Sequence, residues 1–370
     1  QLHMVLVTRQ DPPLQLGRLR AHRKMTEIRA RELRFTNSEA NQFFMNTMKI
    51  ELSEDIAQAV EERTEGWIAG LQLAGLAFQK IKDPFRFIES FRGSHQYVLD
   101  YLAEEVISQQ SDDVKKFLTT SCILERFNSE VCNYLADRCD SQEIIGYLDK
   151  SNLFVIPLDD DRSWFRFHQL FTDYLRILVD KNDYFNLNKK AAEWFVKNNL
   201  MEEAVRYALA SQDLEFAGDI VEKALLYDAT WSAGDITRLS AWLDALPIHI
   251  MKNRPHLSIH ASRVFYLAGR FDRAEKCIAD AEQAAQFYPD ISLSQEILAL
   301  AALYRGAIAS VRGELAKAFE QTNSALEQLP IENHLAHARG YFSLGLAYEL
   351  SGKMDLAAEH YHKSSNRATT

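Results

Sequence analysis

Three times beyond residue 260 the chain places an apolar residue two positions, and an alanine five positions, after a glycine. The phrases are Gly269-Arg270-Phe271-Asp272-Arg273-Ala274, Gly313-Glu314-Leu315-Ala316-Lys317-Ala318 and Gly352-Lys353-Met354-Asp355-Leu356-Ala357. A related phrase, Leu200-Met201-Glu202-Glu203-Ala204, lacks the glycine. The three glycines stand 44 and 39 residues apart. That spacing suits stacked helical hairpins: glycine ends the first helix of a pair, and the small alanine lets the second approach closely. Tyr266, Tyr304 and Tyr348 then fall near the ends of first helices. An irregular helical bundle is the competing reading, disfavoured by three matching phrases.

The composition agrees with a mostly α chain. Only 14 Gly and 8 Pro in 370 residues leave few turns, so long helices with short connections are expected. The net charge of −10 argues against a protein that coats nucleic acid, because phosphate neutralisation needs clustered Lys and Arg. Positive charge gathers only at the start: residues 1–35 carry eight Lys or Arg against three acids, and the other 335 carry 34 against 49. Cys122, Cys132, Cys139 and Cys277 show no CxxC pairing and read as reduced core thiols of a cytoplasmic protein. The pairs His256/His260, His334/His337 and His360/His362 lack a third ligand, so they read as packing or surface histidines and no metal is assigned. No apolar span reaches membrane length, and the opening residues are too short an apolar run for a signal peptide.

Met4 to Thr8, MVLVT, has the β-branched, two-sided apolar character of a buried parallel strand, yet everything after Arg34 reads as helix. The expectation is a strand that ends a sheet whose earlier strands are absent, in a chain missing its beginning. Arg9 would then stand at the strand's carboxyl end, where open α/β sheets place ligand contacts. Thr36-x-x-Glu39 is a capping box for a helix, a second helix starts near Ser53-Glu54, and a third covers Thr64 to Phe78. Gly66, Gly70 and Gly75 in that third helix imply close approach by another backbone.

From Glu130 the style changes. Two short helices, Glu130–Ala136 and Asp140–Lys150, precede a hairpin of Leu153–Leu158 and Trp164–Phe167 with an Asp159-Asp160-Asp161 tip. The alternating pattern turns helical at His168, which is the order of a winged helix. Asp140, Glu143 and Asp149 on the second helix, and the three aspartates of the wing, would repel DNA phosphates, so a structural or switching module is expected. There is no GxxxxGK[ST] phosphate loop, GxGxxG or GxSxG, so an independent enzyme is not expected.

The runs LVTRQDPPLQLGRLRA, ELRFTNSEA, RTEGWIAGLQLAGLAF, GSHQYVLDYLAEEV and FRFHQLFTDYLR together resemble the MalT-like, LuxR-type ATP-dependent transcriptional activators of bacteria, which belong to the signal-transduction ATPases with numerous domains. The resemblance is dense from Val5 to Arg176 and looser through the repeats. It implies a remnant of an α/β nucleotide-binding domain at 1–35, a helical domain at 36–124, a winged helix at 125–182, a helical arm at 183–250 and a tetratricopeptide-like superhelix at 251–370. The phosphate-loop half of the ATPase and the C-terminal DNA-binding domain would lie outside this chain.

Carried over residue by residue, Arg9 resembles the sensor arginine for the nucleotide's terminal phosphate. His168 resembles the winged-helix histidine that reaches the β-phosphate of ADP, and Trp67 and Gly70 match the helical-domain motif near the nucleotide. The intact protein would then bind ADP or ATP with Mg, while this chain alone is expected to hold none. A small-molecule or protein inducer on the repeats would release an ADP-held closed state, allowing self-association and DNA binding through the absent domain. The alternative reading is a stand-alone repeat scaffold for a protein partner.

Overall fold

A computed structural model describes residues 4–8, 12, 14, 16–29, 32–78, 96–227, 231, 236–287 and 289–368. The chain divides into two compact units, 1–194 and 195–370. Helices dominate both, as the scarcity of Gly and Pro implies.

In the first unit, α1 (Leu16–Ala21) buries no residue. Met4 to Thr8 forms no strand, and Val5 and Val7 are 86% and 94% exposed. This corrects the expected strand: an extended segment needs a hydrogen-bonded neighbour, and the described residues supply none for it.

Helix α2 (Asn37–Phe43) starts as expected. Thr36 Oγ1 accepts from the Glu39 amide, and the Glu39 carboxylate accepts from the Thr36 amide. A π-helical turn over Phe44–Met48 follows and ends at Lys49 in the left-handed region.

The expected helix from Thr64 to Phe78 proves to be the end of one helix and the whole of another. Helix α3 (Glu54–Thr64) stops at Glu65 and Gly66, both left-handed with φ of 48° and 68°, and α4 (Ile68–Phe78) begins afresh. Gly66 is where a backbone approaches: a Cβ there would fall inside contact distance of the Phe35 carbonyl oxygen and 2.9 Å from the Phe35 nitrogen. Gly70 and Gly75 instead face side chains, Trp67 with Thr64 and Met48 respectively.

After α5 (Gln96–Tyr101) and a second π-helical turn, α6 (Asp112–Ser121) leads into the winged-helix segment. This contains α7 (Ser129–Ala136), α8 (Ser141–Lys150), β1 (Val155–Pro157), β2 (Phe165–Phe167) and α9 (Gln169–Leu178). The strands pair antiparallel with Ile156 opposite Arg166, and Phe127 bridges to Phe165 on the other side of β2. At the wing tip Asp159 is structural: its carboxylate accepts the amides of Ser163 and Trp164 at 2.7 and 2.8 Å, which holds it below the usual carboxylate range. Cys122, Cys132 and Cys277 are buried thiols as expected, whereas Cys139 is exposed.

Helix α10 (Lys181–Lys197) carries the division between the units. The second unit continues with α11 (Met201–Ala210), α12 (Leu214–Leu226), α13 (Ile236–Asp244) and α14 (Ile248–Lys252). Three hairpins follow: α15 (Pro255–Leu267) with α16 (Phe271–Ala285), α17 (Ile291–Arg312) with α18 (Leu315–Gln328), and α19 (His334–Leu350) with α20 (Met354–Ala368). Gly269, Gly313 and Gly352 turn the three pairs at φ of 73°, 77° and 76°. Ala274 and Ala318 are fully buried and Ala357 nearly so, as close helix approach requires. Asn199, at φ 59°, takes the glycine's place before the fourth phrase.

Candidate functional site

His168 occupies the last non-helical position before α9. Its Nδ1 accepts the Leu170 amide at 3.3 Å, so the ring itself caps the helix. With Nδ1 accepting, the ring proton belongs on Nε2, which donates to the Thr64 carbonyl at 2.9 Å. Thr64 is the final residue of α3, and its carbonyl is among those a helix end leaves without an internal partner. One imidazole therefore caps the start of one helix and the end of another.

The ring is 4% exposed. Burial is the main cause that pushes its pKa down, with Arg34 and Arg166 adding to the effect and Glu65 opposing it. Both nitrogens are occupied by neutral-imidazole bonds, in keeping with that direction.

Around the ring stands an aromatic cluster. Trp67 meets Tyr101, Phe154 and His168 edge-on at centroid distances of 5.4, 5.0 and 6.0 Å. Phe154, left-handed at φ 58°, accepts the His168 amide at 2.8 Å. Gly70 makes room for this packing, since a Cβ there would lie 2.9 Å from Trp67 Cε3 and 3.0 Å from Thr64 Cγ2.

Charge closes the cluster. Arg166 of β2 donates both terminal nitrogens to the two Glu65 carboxylate oxygens at 2.8 Å each, and Arg34 lies 3.5 Å from the same carboxylate. Glu65 also accepts the Gln169 amide at 3.1 Å. Burial raises the Glu65 pKa, but Arg166, His168 and the Gln169 amide outweigh it, and the carboxyl is held below its usual range.

Of the four residues singled out in sequence, the structure brings His168, Trp67 and Gly70 together, while Arg9 lies outside the described residues. Thr64, Glu65, Phe154 and Arg166 were not anticipated. The signal for the first two was Gly66, a helix stop inside a run that otherwise reads as one helix. An imidazole N–H beside two guanidinium groups is a donor set suited to phosphate, here directed at Thr64 and Glu65. Among the described residues no cluster of His, Cys, Asp or Glu could hold a metal ion, and no helix is long and apolar enough to cross a membrane.

Residues 103–184 match the family described as the MalT winged helix domain. The match includes α6, whose following carbonyls at Cys122 and Ile123 accept from Arg176 of α9 at 3.1 and 3.3 Å. The HTH-type transcriptional regulator MalT of Vibrio campbellii is 30% identical over 293 residues, which cover 76% of this chain and 32% of that protein. The serine/threonine-protein kinase PknK of Mycobacterium tuberculosis is 26% identical over 342 residues, covering 89% of this chain and 30% of that protein. The chain thus spans about a third of the length of these relatives. A solved structure from Pyrococcus horikoshii, of a signal-transduction ATPase with numerous domains and a tetratricopeptide-repeat sensor, has the same fold. It matches with a TM-score of 0.53 at 16% identity over 91% of this chain and 48% of the other. By these likenesses the chain is MalT-like, with a MalT winged-helix domain and the fold of a signal-transduction ATPase that carries a tetratricopeptide sensor.

Proposed function

We propose that this chain is the central and sensor portion of a nucleotide-switched transcriptional activator. In this reading 36–124, 125–182, 183–250 and 251–370 act as helical domain, winged helix, arm and repeat sensor, after a nucleotide-domain remnant at 1–35. An inducer on the repeats releases an ADP-held closed state and permits ATP-dependent self-association, with DNA bound by a domain outside the chain. The likeness to MalT regulators supports the class.

The observation that carries the switch is the single Nε2–H of His168. A buried imidazole has one such donor, and a nucleotide phosphate and the Thr64 carbonyl would compete for it. Arg34 and Arg166 would likewise divide between Glu65 and the phosphate. In this reading His168, Trp67 and Gly70 are nucleotide-proximal, and Arg9 approaches from the nucleotide-domain side. ADP and Mg supply the charge that the donors answer; the chain's own residues bind and report it.

Thermal denaturation of the native gene product with and without ADP and Mg tests this. Stabilisation by ADP that disappears in His168→Ala supports the switch, and stabilisation that persists in that variant rejects it.

A second reading concerns the output alone. The match to a serine/threonine-protein kinase favours a sensor segment that can serve a kinase as well as a DNA reader. Detecting a kinase domain in the native product would favour it.

A further inference from the structure

The repeats bring together polar groups that the fold itself leaves unanswered. His260, Tyr304 and Ser343 each stand nine residues before the turn glycine of their hairpin, Gly269, Gly313 and Gly352, so they occupy one register position on three successive first helices. Ser343 Oγ is bonded to Ser310 Oγ at 3.2 Å. The other two are not satisfied: His260 Nδ1 and Tyr304 Oη are buried without a hydrogen-bond partner among the described residues. Native interiors rarely leave such atoms unpaired, and two on adjacent repeats need a cause.

The electrostatic surroundings of His260 have one sign. Burial, followed by Arg339, Arg263 and His256, pushes its pKa down to about 3, and no carboxylate acts on it. His256, His260 and Arg263 share one face of α15 by their spacing. Arg263 lies over the Trp231 ring at 3.6 Å. Arg339, half-buried on α19, has no hydrogen bond or ion pair among the described residues. Cations held together without an acid to balance them favour an anion.

We infer that the face of the repeats bearing His260, Tyr304 and Arg339 binds a small oxyanion ligand, a phosphate ester or a carboxylate. Neutral His260 presents an N–H from Nδ1, Tyr304 presents its hydroxyl, and Arg339 presents a planar donor fork that fits either anion. The inference rests on reading the repeats as the sensor and gives that sensor a ligand class. It involves neither His168 nor a nucleotide, so it stands or falls separately from the switch.

Isothermal titration calorimetry on the full chain, without nucleotide, tests it with inorganic phosphate and, in a second arm, succinate. The expected result is binding of one of the two that Arg339→Ala weakens about tenfold or more, as loss of a charge-assisted bond does. Tyr304→Phe should weaken it by about threefold to tenfold while leaving the unliganded melting temperature undiminished, because it removes only an unpaired hydroxyl. Phosphate binding identifies a phosphate ester as the class, and succinate binding a carboxylate. Absence of binding in both arms, or binding that neither variant alters, overturns the proposal.

Discussion

His168 Nε2 and the Thr64 carbonyl oxygen, 104 residues apart in sequence, meet at 2.9 Å. Because the same ring caps α9 through Nδ1, the bond joins the end of one helix to the beginning of another through a single planar group. Neither helix has another side chain in that role: α9 is capped only by His168, and the Thr64 hydroxyl turns back to Val60 at 2.9 Å.

Replacing His168 with Ala removes both bonds, opens a cavity and leaves a buried carbonyl unpaired. The expected loss of stability is about 2–4 kcal/mol. Hydrogen exchange should localise it: amides of 54–78 and 153–178 exchange faster, while those of 255–368 keep wild-type protection. Uniform loss across both groups would contradict the assignment.

The first unit should weaken on acidification. The folded pKa of His168 is depressed, so the unfolded chain binds its proton first, and stability falls as pH drops below about 6.5 toward the folded value. Glu65 is also depressed, so its contribution is present above about pH 4.3 and is lost as pH falls further. Urea unfolding across pH 7 to 4 should show the upper step disappear in His168→Gln and remain in Glu65→Gln.

Glu65 and Arg166 form a two-pronged pair across the same junction, with Glu65 mostly covered. A double-mutant cycle with Glu65→Gln and Arg166→Met should give a coupling of about 1–2 kcal/mol, above that of an exposed pair. A value near zero would mean that the pair is solvated in solution.

Much of this was legible in the chain. The Thr36–Glu39 box, the handover at His168 and the glycine turns at 269, 313 and 352 are local signals, in which a residue's own chemistry fixes the backbone near it. Glu65 was hidden because its role depends on Arg166, 101 residues away, and the apolar run after it masked the break. Met4 to Thr8 shows the converse: strand propensity describes fitness for a sheet and supplies no neighbour.

Gly66 and Gly269 separate two uses of the same backbone conformation. Both have positive φ, but a Cβ on Gly66 collides with the Phe35 backbone, whereas nothing lies within 4 Å of one on Gly269. Gly269→Ala should cost about 1–2 kcal/mol for the left-handed conformation alone, and Gly66→Ala clearly more. Chemical denaturation of each variant measures the difference; equal costs would contradict the close contact.

The central claim is a nucleotide switch, and mass spectrometry of the native gene product from its source cells tests it most directly. Under native conditions the account predicts a product much larger than the 42.5 kDa of this chain, carrying ADP that is released on denaturation. A native product of 42.5 kDa without nucleotide would contradict it.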